Sequence, residues 1–276
     1  MIEKYRDLWL HRELLWNMTV KELKVKYKRS VLGFVWSFVT PMIMLAVFSL
    51  VFAILMKGGD MSWFSVYLMC GLLPWLFFVN SLMQSVGSVV ANAGLVKKVY
   101  FPREILPIAA VGANIFHFVM QMLVFFVFLL IIQWHFSIYI LLFPLVLLLE
   151  IVLALGMSLF VAAANVYLRD VQHFVEVATM AWFWLTPIVY TMATFRNMFS
   201  SHPQMAGVFT RIYLLNPMTN IALMWQYIIY NPHRYGPSAA YISLWGIAYT
   251  TVGSFLLLFA AYYYFTRSER GFAEQI

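Results

Sequence analysis

The sequence predicts an all-α integral membrane protein with six transmembrane helices, and three observations support this prediction. Hydrophobic residues make up 63% of the 276 residues and charged residues only 11%, unlike a soluble domain. Several uncharged runs exceed the roughly 20 residues that a helix needs to cross the hydrocarbon layer. These runs are continuous and lack an alternation of period two, so helices are favoured over a transmembrane barrel.

The first 29 residues predict an amphipathic helix that lies in the membrane interface. They carry eight Lys and Arg residues, and apolar side chains fall in one uncharged sector of the helical wheel. That sector contains Tyr5, Trp9, Trp16, Val20, Leu23 and Tyr27. Thr19 followed by Glu22 fits a capping box, so a break is expected near Asn17. The alternative is a plain basic flank of the first span.

The six spans are expected near residues 30–56, 64–90, 105–132, 138–165, 174–190 and 241–265. Pro41 should bend the first span, and Gly71 and Pro74 should interrupt the second. The uncharged run after Pro107 is too long for one crossing and should break at residues 133–137. Residues 266–276 are expected to form a short polar tail.

Residues 191–240 differ in composition from the predicted spans, because proline and glycine repeatedly interrupt an apolar sequence. Such backbone survives at membrane depth only where protein or a wet cavity covers it, which predicts two re-entrant half-helices on the outer side. The predicted connections on the side of the termini hold 14 Lys and Arg residues and the other connections hold 4. Both termini are therefore expected to be cytoplasmic, and the chain to be a multi-pass protein of the cell membrane.

Motifs for common enzyme chemistry are missing from the sequence. The nucleotide-binding loop GxxxxGK[ST] needs a Gly–Lys pair, which the sequence lacks, and HExxH, CxxC and GxSxG are also absent. Cys70 is alone, so it permits no internal disulfide. No cleavable signal peptide is expected, since the first apolar run follows a long charged segment. These observations predict neither a catalytic residue nor a metal site, and no nucleic-acid partner.

Two ionisable residues fall within predicted spans. Glu150 lies near the middle of the fourth span and His117 in the third, where function is the usual reason for such a residue. The alternative is that each has only a structural role, either protonated or hydrogen-bonded between helices. Aromatic rings could offer a sugar-bearing substrate a surface, or they could serve as packing or belt residues. The candidates for lining a translocation path are Trp36, Phe38, Trp182, Trp184 and Glu150.

Five sequence blocks carry a resemblance to a known family. They are KELKVKYKRSVLGFVWSFVTP (21–41), GLLPWLFFVNSL (71–82), NAGLVKKVYFPREILP (92–107), NVYLRDVQHF with FWLTPIVY (165–190) and LLNPMTNI (214–221). With them the chain resembles the transmembrane subunit of ABC-2-type exporters of lipid-linked polysaccharides, which move wall teichoic acid, O-antigen and capsule. The blocks occur in the expected order over nearly the whole chain.

The resemblance implies a single transmembrane domain over residues 1–276 that forms a homodimer with two copies of a separate ATPase subunit. ATP and Mg would bind that subunit, and this chain would hold no cofactor. Residues 91–104 would be a cytoplasmic coupling loop, with a helix over residues 91–101 that Pro102 ends. The residues expected to couple to the ATPase are Leu95, Val96, Lys97, Lys98, Val99, Tyr100 and Phe101.

Four basic residues before the first span, Lys24, Lys26, Lys28 and Arg29, would bind the pyrophosphate of a polyprenyl-linked glycan at the membrane surface. The alternative is that they only set topology. Wall teichoic acid is the favoured cargo, on overall similarity, and O-antigen and capsule are alternatives. An ABC-2 drug or lipid exporter, a membrane-embedded transferase and a channel or structural protein are further alternatives. Co-purification with an ATPase would distinguish an exporter from a channel or structural protein. The ligand that stimulates ATP hydrolysis, a drug or a polyprenyl-linked glycan, would distinguish the two kinds of exporter.

Overall fold

In a computed structural model, the described residues are 9–26, 35–55, 63–197, 203–230 and 242–276, and no strand occurs among them. The all-α prediction is confirmed for these ranges. The longer helices are α1 (Arg12–Lys26), α2 (Trp36–Leu55), α3 (Phe64–Val86), α6 (Ile105–Ile131), α7 (Phe143–Tyr167), α8 (Val171–Trp184) and α12 (Leu244–Ser268). The shorter ones are α4 (Ser88–Ala91), α5 (Ala93–Lys98), α9 (Met192–Asn197), α10 (Pro203–Tyr213), α11 (Pro217–Trp225) and α13 (Phe272–Gln275).

Among the described residues, four segments are long and apolar enough to cross a membrane: Phe64–Val86, Ile105–Ile131, Ile138–Tyr167 and Leu244–Gln275. A shorter apolar helix covers Trp36–Val51. The six-span count therefore stays a prediction. The expected bounds 105–132 and 138–165 agree closely with the third and fourth spans, and Pro41 lies inside α2.

The predicted break at residues 133–137 is confirmed. Gln133 has a φ of 54°, in the left-handed region that ends helices. The Trp134 backbone N–H then donates to the Leu129 carbonyl at 2.8 Å, which closes the end of α6. The Trp134 indole donates to the Ile229 carbonyl at 3.0 Å. The turn is thereby fixed against the segment that follows α11.

Helix α3 is the most buried of the helices of spanning length among the described residues, and it packs against α6, α7, α8 and α11. The expected interruption at Gly71 and Pro74 is wrong, because α3 is continuous through both residues. A Cβ at Gly71 would lie 3.0 Å from the Gln226 Nε2 atom, so this glycine permits a close approach. Pro74 is buried, and packing on all sides overrides its low helix propensity. The helix ends at Val86, earlier than the expected 90.

The predicted fifth span, residues 174–190, is also corrected. Helix α8 begins earlier and has 14 residues, which at 1.5 Å per residue is about 21 Å, less than the roughly 30 Å of hydrocarbon. It ends at Trp184 because Pro187 has no N–H and restricts the residue before it. Residues 185–191 are irregular.

Helix α1 runs through Asn17 without a break, so the expected capping box is wrong. The Thr19 hydroxyl donates to the Leu15 carbonyl at 2.9 Å, a bond within the helix. The face bearing Thr19 packs on α6, where a Cβ at Gly112 would lie 3.3 Å from the Thr19 side chain. Trp9 and Trp16 lie elsewhere and are 68% and 67% exposed. The helix therefore has a protein-facing side and an exposed aromatic side.

The described parts of residues 191–240 contain three short helices, α9 to α11, and a π-helical turn, Gln226–Tyr230. Residues 198–202 and 231–241 lie outside the described residues, so re-entrant half-helices stay a prediction. Pro217 starts α11, and the Asn216 Oδ1 atom accepts a hydrogen bond from the Met218 N–H at 3.0 Å. This is an N-cap followed by proline in the first turn.

The expected polar tail at residues 266–276 is helical and packs on the rest of the protein. Helix α12 continues to Ser268, and a 3₁₀ turn, Glu269–Gly271, leads into α13. Phe272 is fully buried between the rings of Phe265 and Tyr167. Burial of this one aromatic side chain holds the short charged segment against the rest of the protein.

Candidate functional site

The 91–104 loop contains a shorter helix than the sequence predicts. Helix α5 covers Ala93–Lys98, and Val99 already has extended backbone angles of −127° and 136°. The expected helix over residues 91–101 is corrected accordingly. Helix α5 therefore ends before Pro102, through the extended conformation of Val99.

The predicted coupling residues divide into two sets. Val96 and Phe101 are 3% and 5% exposed, and Leu95 packs with them against a core shared with α7 and α12. Lys97, Lys98, Val99 and Tyr100 point outward, with Tyr100 94% exposed. The loop thus presents two cations and an aromatic ring on one side and is anchored by apolar side chains on the other. That these residues contact an ATPase stays a prediction.

Two charged residues after Pro102 fasten the end of this loop, and the sequence does not predict their role. The Arg103 guanidinium donates to the Glu269 carbonyl. Glu104 is buried, and its Oε1 atom accepts a hydrogen bond from the Tyr262 hydroxyl at 3.1 Å. The only sequence signal is an Arg–Glu pair at the edge of a long apolar run.

Helix α1 is attached to the same region by polar side chains. The Lys21 ammonium group donates to the Asn92 Oδ1 atom at 2.6 Å. The Gln84 amide donates to the Glu22 carboxylate at 2.8 Å. The Asn114 amide in turn donates to the Gln84 Oε1 atom at 2.7 Å. These bonds connect α1, α3, α6 and the 91–104 loop.

Of the four basic residues expected to bind a lipid headgroup, the structure places one. Lys24 is exposed on α1. Lys26 ends that helix, but its side chain lies outside the described residues, as do Lys28 and Arg29 altogether. Headgroup binding therefore stays a prediction.

Glu150 lies in the packed interior of the bundle. It is 0% exposed, and its Oε2 atom accepts a hydrogen bond from the Trp225 indole at 2.8 Å. Its Oε1 atom has no partner among the described residues. The Trp225 ring is packed in turn against Phe118 and Phe143, with centroids 5.6 and 4.8 Å away. The carboxyl group therefore joins α7 to α11.

His117 has a different partner. Its Nδ1 atom is 3.4 Å from the Ser37 hydroxyl, so it faces α2, whereas Glu150 binds α11. The aromatic candidates also differ in their surroundings. Trp36 is 43% and Trp184 63% exposed, and Phe38 lines an apolar groove of about 420 Å³ between α2 and α6.

Trp182, the remaining aromatic candidate, belongs to a polar network around the irregular segment 185–191. Its indole donates to the Asn216 Oδ1 atom at 2.8 Å, and the Asn216 amide donates to the Leu185 carbonyl at 3.0 Å. Gln226 donates to the Pro187 carbonyl at 2.8 Å. Side chains thus satisfy carbonyls of this irregular segment that lack helical partners. Sequence reasoning missed this network.

Among the described residues, no group of three or more His, Cys, Asp or Glu side chains could hold a metal ion. The arrangement instead consists of an exposed basic and aromatic loop, buried connections from that loop to the long helices, and a hydrogen-bonded interior. Such an arrangement can transmit a displacement from the loop to the helices.

Comparison with known proteins gives consistent relatives over the length of the chain. The ABC-2 type transporter family model matches residues 13–230. An O-antigen export system permease protein RfbA of Myxococcus xanthus is 31% identical over 280 residues, covering all of both chains. A Klebsiella pneumoniae protein of the same name is 30% identical over 247 residues, 87% of this chain and 89% of the relative. Another from Klebsiella pneumoniae is 29% identical over 225 residues, 79% and 81% of the two chains.

Proposed function

We propose, because this chain belongs to the ABC-2 type transporter family, that it is the membrane subunit of an ATP-driven exporter of lipid-linked polysaccharide. The observation that carries the proposal is the full-length similarity to a permease named for O-antigen export. The four apolar segments of spanning length in the described part of the chain suit a multi-pass membrane protein.

O-antigen or a closely related glycan is the proposed cargo. The sequence by itself favours wall teichoic acid, but the named relatives support the O-antigen alternative instead. The same names give no support to a drug exporter, a transferase or a channel. A polyprenyl-linked glycan remains the proposed chemical class of substrate.

A homodimer of this chain, with two copies of an ATPase subunit that hold ATP and Mg, is the proposed assembly. Both termini and the 91–104 loop would face the cytoplasm, and six spans with a re-entrant outer region would complete the topology. Lys97, Lys98 and Tyr100 would dock on the ATPase, and their exposure supports this role. Lys24, with Lys26, Lys28 and Arg29, would meet the lipid pyrophosphate.

Closure of the ATPase on ATP would displace α5. Since Val96 and Phe101 are buried in a core shared with α7 and α12, α5 cannot shift without moving its neighbours. The displacement would favour one of two arrangements of the long helices and so open and close a path for the glycan.

Co-purification and export together test this function. The triple variant Lys97→Ala, Lys98→Ala, Tyr100→Ala removes the exposed side of the loop and should reduce the recovered ATPase at least tenfold, with normal levels of this chain. Arg211→Ala is a matched control, since Arg211 is an exposed cation in α10. Cells without the chain should lose surface O-antigen and accumulate lipid-linked glycan inside.

Two results would overturn the proposal. One is recovery of the wild-type chain, under conditions that keep membrane complexes intact, with no ATPase bound. The other is normal surface polysaccharide in cells that lack the chain.

A further inference from the structure

Residues 269–276, called the hook here, follow α12 and pack against α7. The Ser268 carbonyl accepts a hydrogen bond from the Tyr167 hydroxyl at 2.7 Å. A Cβ at Gly271 would lie only 2.8 Å from that hydroxyl oxygen. Glycine therefore allows the chain to turn tightly against Tyr167, which fixes the start of the hook to the last turn of α7.

A buried aromatic ring holds the hook in place. Phe272 is 0% exposed, and its ring meets that of Phe265 edge-on at 5.4 Å and that of Tyr167 at 6.0 Å. Removal of a phenylalanine side chain from water stabilises the segment that carries it. By contrast, the neighbouring residues Ala273 and Glu274 are exposed.

The other side of the hook lies against the 91–104 loop. Helix α13 packs on α5, and Ile276 and Leu95 pack on the same core. At the far end of the loop, the Arg103 guanidinium donates to the Glu269 carbonyl. Attachments thus occur both at α5 and after Pro102, so the hook spans the part of the loop that bears the exposed residues.

The last long helix is joined to the loop and also to α7. The Tyr262 hydroxyl of α12 donates to buried Glu104. At Gly156 of α7 a Cβ would lie 3.1 Å from backbone atoms of Leu258 in α12, so these two helices approach closely. If the hook moves together with α5, the displacement would therefore move α12 and α7 together.

We propose that the hook is a positioning element, which clamps the 91–104 loop to the ends of α7 and α12 and so transmits the movement of the loop to these helices. It rests on the proposed function, since it assumes that an ATPase displaces this loop. Phe272 is the positioning residue, and Gly271 permits the turn that brings it into place.

The test measures export per ATP hydrolysed by the complex of this chain with its ATPase. Phe272→Ala should leave the ATPase bound and its hydrolysis rate within twofold of wild type, while export per ATP falls at least fivefold. Phe272→Leu refills most of the buried volume and should recover export per ATP to within twofold. Glu274→Ala is the control, since Glu274 lies in the same short helix but is exposed, and it should match wild type.

Gly271→Ala provides a second variant in case Phe272→Ala is recovered poorly. The added methyl group collides with the Tyr167 hydroxyl, and export per ATP should fall. Adding Tyr167→Phe removes the colliding atom, since the next ring atom is 3.7 Å from the Cβ position, and should restore part of the loss. A loss caused only by general instability would not respond to this compensating change.

Unchanged export per ATP in both Phe272→Ala and Gly271→Ala overturns the proposal, and so does a loss that Phe272→Leu leaves unrepaired. These results are distinct from failure of the proposed function. In that case no ATPase would be recovered with the wild-type chain, and no ratio of export to hydrolysis could be formed.

Discussion

Replacing Glu150 with glutamine tests whether this buried side chain serves packing or transport. The glutamine side chain has nearly the same shape and keeps an oxygen that can accept the hydrogen bond from the Trp225 indole, now 2.8 Å long. It removes the carboxyl group's ability to carry a charge or a proton. If Glu150 joins α7 to α11 structurally, Glu150→Gln should be produced normally and export at close to the wild-type rate.

Replacing Glu150 with alanine shows how much its hydrogen bond contributes to the stability of the protein. Glu150→Ala leaves the fully buried Trp225 N–H without its acceptor, which costs about 1–3 kcal/mol, and the cavity adds to this. For a chain of this size each kcal/mol lowers Tm by roughly 2–4 °C. The unpaired indole alone should therefore lower Tm by about 2–12 °C.

A double-mutant cycle isolates the pair. Glu150→Leu and Trp225→Phe each orphan the other partner, whereas the double variant removes both. The double variant should therefore be more stable than the sum of the single effects predicts, by about 0.5–3 kcal/mol. Thermal unfolding of the purified complex measures these differences.

The matched control is Glu176→Gln, because Glu176 lies on α8 with its side chain 59% exposed. It should change Tm by less than about 2 °C, as expected for a surface substitution. Loss of export in Glu150→Gln at normal protein level and normal Tm would refute the packing interpretation. It would assign the carboxyl group to the transport cycle.

Two further predictions concern the irregular segment and the basic residues before α2. Asn216→Ala should destabilise the protein by about 0.5–2 kcal/mol through loss of the α11 N-cap, measured as a lower Tm. Asn216→Asp keeps the cap and should cost less, and equal Tm values for the two would contradict this account. Changing Lys24, Lys26, Lys28 and Arg29 together to glutamine should weaken export and substrate-stimulated ATP hydrolysis. The orientation of the chain in the membrane should stay the same. If both activities persist, these residues do not bind the lipid headgroup.

Span boundaries could be predicted from the sequence where they depend on local hydrophobicity. A helix in hydrocarbon satisfies its own backbone, so an uncharged run of sufficient length is enough to specify it. The break at residues 133–137 and the start of α6 at Ile105 were found in this way. The fifth span was not, because Pro187 ends α8 early and Asn216 and Gln226 support the irregular backbone from distant positions.

Residues that locally suggest a break were misleading where a tertiary contact explains them. Gly71 looks like an interruption of α3, but it makes room for the Gln226 amide. Thr19 looks like an N-cap, but its side chain packs beside Gly112 while its hydroxyl bonds within the helix. A small or hydroxyl-bearing residue has the same local signature in both situations. Only the partner, which is far away in sequence, distinguishes them.

The 91–104 loop shows why half of this site was predictable. Lys97, Lys98 and Tyr100 are recognisable because charge and an aromatic ring in a short connection have few uses other than binding. Glu104 was overlooked, since its partner Tyr262 is 158 positions away in the chain. In the proposed function, different residues of the same loop would bind the ATPase and transmit its movement. The exposed residues would set which partner docks, while the buried residues would determine which helices follow.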